Sequence, residues 1–234
     1  MKKVFTISYF EREGNENLSE VLRVVKRTLK RRPELQQRKI VFFTAIGKGP
    51  ALAYKLLDAF EPKIIAVTFP PSFTVLVEGK PFHPTIAPKI RKFFDGVGIR
   101  VITGRLPFDR IDGAEAHNQQ MKLINDALSL FGGGFYQCVQ AVLQACDHGE
   151  VEIGETVISI TGDCAAVMIA STTQKCFSSK QGLVISEILC KPRNMTIARQ
   201  KPLPPQAQEQ ALFHEGKPVI EGQVERKQIA EHKT

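Results

Sequence analysis

No apolar run in this chain approaches the roughly 18 residues that a bilayer-spanning helix needs, so no membrane-spanning helix is predicted. Cysteine is scarce and scattered: Cys138, Cys146, Cys164, Cys176 and Cys190 include no C-x-x-C pair, which argues against a zinc site and against a disulfide frame. Cys138 and Cys146 fall on one apolar helix and read as buried thiols. No secretory leader is expected either. The opening MKKVFTISYFEREG has two lysines, but glutamates interrupt what would be its apolar region, and a cytoplasmic location is expected. Negative charge is the scarcer sign, with 24 acidic against 32 basic residues and a formal net charge of +8. Much of the excess lies in Arg23, Lys26, Arg27, Lys30, Arg31 and Arg32, on the second half of a helix, where cations suit the dipole. Aromatics do not interleave with that run, as a single-strand platform would require. It reads as a solvated face, with a polyanion patch as the alternative, and a nucleic-acid partner is not expected.

What is present is an α/β pattern. Hydrophobic residues at 43% and charged residues at 24% are ordinary for a globular domain, and 234 residues suffice for one full core plus an appendage. Lys39–Phe43 is a short continuous apolar run, as expected of a parallel strand covered on both faces. Gly47, Gly49 and Pro50 turn the chain into a helix over Pro50–Glu61, with Leu52, Leu56, Leu57 and Phe60 at helical spacing. Pro62 stops it, and Lys63–Val67 is a second buried strand. The unit is strand, helix, strand, so its strands should be parallel with a right-handed crossover.

Its turn, Thr44-Ala45-Ile46-Gly47-Lys48-Gly49, follows a strand and opens a helix, where free amides and the dipole favour an anion. Thr44 offers a hydroxyl, Lys48 a charge, and Gly47 and Gly49 a bare backbone. Two familiar phosphate loops are absent. No Gly-Lys-Ser/Thr closes a six-residue P-loop, and the dinucleotide fingerprint lacks its third glycine and its acidic residue. The glycines could also serve only to turn the chain.

Around this unit the pattern predicts an edge strand at Lys3–Tyr9 and a helix from Asn17, capped in a box with Glu20. A strand and turn follow at Thr74–Pro81, then a helix over Ile86–Phe94 and a strand over Ile99–Thr103. The stretch Gly104–His117 reads as a loop longer than an idle connection. It lies on the same sheet edge as the Thr44 turn. Arg105, Asp109, Arg110, Asp112 and His117 are its candidate ligand contacts, although self-paired surface charges would explain them as well. Met121, Ile124, Leu128 and Phe131 mark a helix, and Gly133-Gly134 opens another, ended at Asp147-His148-Gly149 with His148 as a cap. Strands are expected at Thr156–Thr161, Ala166–Ala170 and Leu183–Leu189. Residues 1–197 then form the domain. Residues 198–234 form a polar tail, with room for one short hairpin around Phe213, Val219 and Ile220.

The segments FEREGNENLSEVLRVV, KIVFFTAIGKGPA with KIIAVT, LFGGGFYQCVQAVLQACDHG, TVISITG and ISEILCKPR together resemble the pyruvate kinase C-terminal-domain-like proteins. The stand-alone members are the nearer match, over roughly residues 3–194 and in the family's order. The resemblance implies a three-layer α/β/α domain with a mostly parallel sheet. It also implies that Thr44, Gly47, Lys48 and Gly49 match a turn that holds a phosphorylated effector. Pyruvate kinase activity is not implied, because the catalytic barrel is absent from this chain. The chain departs from the stand-alone pattern at Glu13 and Leu18, at Gln140 in place of a glutamate, and at Gly162–Ala166, where relatives carry a longer Gly-rich loop.

Three functions are then in play. The first is binding of a phosphate-bearing small molecule at the sheet's carboxyl edge, either a sugar phosphate or a mononucleotide such as FMN. The second is an enzyme acting on a phosphorylated or flavin-linked substrate, with Asp109, Asp112 and His117 as acid/base groups. The third is an assembly or regulatory subunit that takes no ligand, which a defined homo-oligomer without ligand would favour. No metal site is suggested.

Overall fold

The computed structural model describes residues 5–77, 80–109, 111 and 113–194. In chain order the elements are β1 (Ser8–Arg12), α1 (Leu18–Arg31), α2 (Pro33–Gln36), β2 (Ile40–Phe43), α3 (Lys48–Leu56), β3 (Ile64–Thr68), β4 (Val75–Val77), β5 (Lys80–Phe82), α4 (Pro88–Val97), β6 (Arg100–Thr103), α5 (Glu115–Ser129), α6 (Gly133–Asp147), β7 (Thr156–Ile160), β8 (Ala165–Ile169) and β9 (Val184–Asn194). Seven strands form one sheet in the order β1-β9-β8-β7-β2-β3-β6, and β4 and β5 form a separate antiparallel pair. Only β8 runs against its neighbours. The protein is therefore α/β with a mostly parallel sheet.

The strand sequences explain why helices lie on both faces. Successive side chains of a strand point to opposite sides. In β2, Ile40 and Phe42 enter one apolar cluster while Val41 and Phe43 enter the other. The first cluster is closed by α1, α3 and α4 through Val21, Leu22, Val25, Ala53 and Phe94. The second is closed mainly by α6, whose Phe135, Cys138, Val139, Val142 and Leu143 are buried. At about 25 cal/mol per Å² of apolar surface, these two faces are the main source of stability.

Several boundaries differ from the sequence expectation. The first strand runs over Ser8–Arg12 and not Lys3–Tyr9, though it is an edge strand, paired only with β9. The expected capping box does not form. Asn17 precedes α1 without capping it, and its side-chain amide donates instead to the carbonyls of Arg12 (2.8 Å) and Gly14 (3.2 Å). Helix α3 starts two residues early, at Lys48, and ends at Leu56, with a short 3₁₀ turn over Asp58–Phe60. Helix α5 starts at Glu115, so His117 is helical and the preceding loop is shorter than Gly104–His117. The turn at Glu78-Gly79 and the whole tail from 195 lie outside the described residues, as does the expected hairpin around Phe213. The 197/198 boundary falls there as well. His148 does cap α6, its backbone N–H and ring Nδ1–H both donating to the Gln144 carbonyl, at 3.1 and 2.8 Å. The five cysteines are free and buried.

Candidate functional site

The parallel strands β2, β3, β6 and β7 end on one edge, and the residues just past them make two neighbouring sites on opposite faces. On the α3 and α4 side, the register sets Phe43 opposite Val67 and Thr68 opposite Thr103, so Thr44 follows opposite Thr68. Three threonines thus end three adjacent strands in one row. Thr44 and Thr68 are buried. The Thr44 hydroxyl oxygen accepts the Gly47 N–H at 3.0 Å, which closes the turn and leaves its own O–H to donate elsewhere. Arg91 from α4 reaches the Thr103 hydroxyl at 3.5 Å and the Ile86 carbonyl at 3.3 Å. Lys48, half-buried, is the first residue of α3. The first-turn amides of Lys48 and Gly49 have no partner within the helix.

Thr44, Gly47, Lys48 and Gly49 are therefore brought together at a helix N-terminus, and the structure adds a packing reason for both glycines. Gly47 has φ 86°, a left-handed conformation costly for any residue with a Cβ, and a Cβ there would lie 2.9 Å from Ile90 Cγ2. At Gly49 a Cβ would lie 2.3 Å from the Phe42 ring. The space beside each glycine is filled by this chain's own core.

The loop after β6 belongs to the other face. Leu106 and Phe108 enter the α6-side core. Side-chain amides then grip its backbone: the Phe108 N–H donates to Gln140 Oε1 at 2.9 Å, Asn125 donates to the Phe108 carbonyl at 2.9 Å, and Asn118 exchanges two 2.7 Å bonds with Ile111. Arg105 is exposed and His117 half-buried. Burial raises the Asp109 carboxyl above its ordinary pKa, offset by the Leu106 backbone and by Arg105. Arg110 and Asp112 lie outside the described residues. Among those described, no hydrogen bond or ion pair joins Arg105, Asp109 or His117 to the Thr44 turn. The loop is bound down to α5 and α6 through Asn118, Asn125 and Gln140.

A second cluster, to which sequence reasoning gives no role, lies on the α6 side. The exit of β1, the start of α6 and the β7–β8 turn meet through two crossed bonds. Glu13 Oε1 accepts the Gly133 N–H at 3.1 Å, and Asp163 Oδ2 accepts the Gly14 N–H at 3.1 Å. Thr161 donates to Asp163 Oδ1 at 3.4 Å. Gly134 is required here by close approach, since a Cβ would lie 1.9 Å from Asp163 Oδ1. Glu13 and Asp163 are each 8% exposed. Burial, with the nearby Glu13 charge, pushes the Asp163 carboxyl up to about 6, against the lowering effect of its hydrogen bonds. A Thr-Gly-Asp after a strand, set against Glu-Gly-Asn after the first strand, was the available signal.

The surrounding thiols add no nucleophile. Burial pushes Cys138 up to about 12 and also raises Cys164 and Cys190, so all three are neutral near pH 7. Among the described residues no group of His, Cys, Asp and Glu is arranged to hold a metal ion, and no helix is long and apolar enough to cross a membrane.

Fold and site together define an α/β protein with a polar carboxyl edge built around a strand-to-helix turn. Set against known proteins, the chain matches no family model and no curated sequence.

Proposed function

We propose that the chain binds a phosphate-bearing small molecule at the Thr44 turn and serves as a binding domain, not as a pyruvate kinase. The observation that carries this reading is the row Thr44, Thr68 and Thr103 at the start of α3, flanked by Lys48 and Arg91. Hydroxyls, first-turn amides and two cations are the donors a phosphate takes. The resemblance to the pyruvate kinase C-terminal-domain-like proteins favours the same turn. A mononucleotide such as FMN, or a sugar phosphate, is the class to try first.

The test is a thermal-shift screen of nucleotides, FMN and sugar phosphates, followed by titration of the best ligand. Lys48→Ala should weaken it roughly tenfold or more, the loss of one charge-assisted contact. Thr44→Ser keeps the hydroxyl that holds Gly47 and should bind nearly as wild type. Thr44→Val should also lower stability by about 1–3 kcal/mol, since the Gly47 amide loses its acceptor. A ligand indifferent to Lys48→Ala would move the site away from this turn.

Catalysis on the same edge is the second reading. Asp163 favours it, since a buried carboxyl titrating near neutrality is suited to proton transfer. Turnover of the screened ligand that survives Asp163→Asn would remove that role.

A further inference from the structure

The two helical layers carry opposite charge, and the fold alone reveals it. Helix α1 has five basic residues against one acid, α3 two against none, and α4 three against one. These helices lie side by side on one face. α1 and α3 close one core with α4, Tyr54 of α3 meets Phe93 of α4 edge-on with ring centroids 5.9 Å apart, and Gly47 abuts Ile90. Their joint excess equals the chain's whole formal net charge of +8. The opposite layer, α5 and α6, holds one cation, Lys122, against Glu115, Asp126 and Asp147. Among the described residues, the only ion pair made by a cation of α1, α3 or α4 is the exposed one between Arg23 and Glu20.

Among the described residues, α1, α3 and α4 themselves carry no large exposed hydrophobic. Exposed Phe5 lies beside them, its ring under Arg32 at the end of α1 with 4.9 Å from guanidinium to centroid. The large exposed hydrophobics, such as Tyr9, Leu123, Leu130, Phe177 and Val184, all lie outside α1, α3 and α4. A membrane surface would be gripped by such side chains as well as by charge, and unpaired bases would be stacked on exposed aromatics. A face whose exposed side chains are mostly cations fits a partner that offers mostly phosphates. The backbone of a nucleic-acid duplex is such a partner, because its bases are hidden in the stack and its phosphates recur at fixed spacing.

We propose that the α1, α3 and α4 face docks on the phosphate backbone of a nucleic-acid duplex without reading its sequence. On the sequence alone the α1 run reads as a solvated face, with a polyanion patch as the alternative. The fold sets α3 and α4 beside it, so that the basic excess of three helices falls on one layer while α5 and α6 carry a small acidic excess. The proposal goes beyond the small-molecule reading and does not rest on it.

The experiment is fluorescence anisotropy of a labelled 20-base-pair DNA duplex titrated with the full chain at 50 and 200 mM salt. If about four phosphates are neutralised, affinity should fall roughly a hundredfold between the two salts, from the ~0.9 slope per phosphate. Affinity should not change when the duplex sequence is scrambled. Arg27→Glu combined with Lys30→Glu should weaken binding at least tenfold at 50 mM salt, and Lys122→Glu on the other layer should leave it unchanged. A thermal melt of the double variant checks that it folds, and its response to the small phosphate ligand should be that of wild type. Four results would each overturn the proposal: no salt-dependent binding, equal loss with Lys122→Glu, tighter binding to a single strand than to the duplex, or binding to phosphatidylserine vesicles without binding to duplex.

Discussion

Gly49→Val should cost the fold about 3 kcal/mol, the upper end of what overpacking a core usually costs. The first new atom alone would lie 2.3 Å from Phe42 Cε1 and 2.5 Å from Cζ, and Phe42 is 1% exposed on a central strand. The ring cannot swing aside, because β2 lies between β3 and β7 and the Phe42 side chain is packed in the cluster under α3. In a chain of this length, about 3 kcal/mol corresponds to a melting temperature lower by roughly 6–12 °C. Phe42→Leu should be destabilising alone yet partly rescue Gly49→Val, giving a favourable coupling of about 1 kcal/mol or more in a double-mutant cycle. A Gly49→Val protein that melts with wild type would show that the start of α3 can shift away from the strand. The consequence for function is direct. Loss of ligand binding in Gly49→Val would report on the core as much as on backbone approach, so Lys48→Ala is the cleaner probe of the turn.

Much of the sheet was legible because its signals are local. Lys39–Phe43 and Lys63–Val67 are continuous apolar runs, and each is buried on both faces as such runs imply. Gly133-Gly134 marked the start of α6, and His148 its end, because helix termini carry their own residue chemistry. Other features were hidden for identifiable reasons. The pairing of β1 with β9 joins Ser8 to Cys190, a contact that no pattern within either segment encodes. Gly49 could be seen as a glycine, but only the fold shows that Phe42 occupies the space beside it. Glu115 and Ala116 are good helix formers with an acid in the first turn, and that local preference drew His117 out of the loop where spacing had put it. The Glu13 and Asp163 cluster needed two loops 150 positions apart in the chain to be laid side by side, with Gly14 to Asp163 separated by 149. The polarity of the two helical layers was hidden in the same way, since charge counts along a chain do not say which helices share a face.

Asp163→Asn should stabilise the protein above about pH 6 and lose its advantage as the pH falls. In the folded chain the Asp163 carboxyl is pushed from 3.8 up to about 6, first by burial and then by Glu13. Between those values the native state holds a proton that the unfolded chain has released. Stability from this group is therefore complete below about pH 4 and is lost as the pH rises through about 6. At about 1.4 kcal/mol per pH unit, the ionised carboxylate costs the native state on the order of 2–3 kcal/mol at pH 7–8. An asparagine cannot ionise, its Oδ1 can still accept the Gly14 N–H, and its amide can donate to Thr161. The variant should gain about 1–2 kcal/mol at pH 8 once the weaker bond to Gly14 is allowed for. The groups facing the carboxyl are Glu13 from the β1 exit and the buried thiols of Cys138, Cys164 and Cys190, from α6, the β7–β8 turn and β9. Those thiols are neutral throughout this range, so Glu13 is the neighbour to change. Glu13→Gln should reduce the pH slope between 4 and 6 without removing it, because burial remains. Urea unfolding of wild type and both variants at pH 4, 5, 6, 7 and 8 reads the effect. Curves for wild type and Asp163→Asn that stay parallel over that range would show that Asp163 is already ionised at pH 4, and its carboxylate would then be held by Gly14 and Thr161 more strongly than burial opposes it.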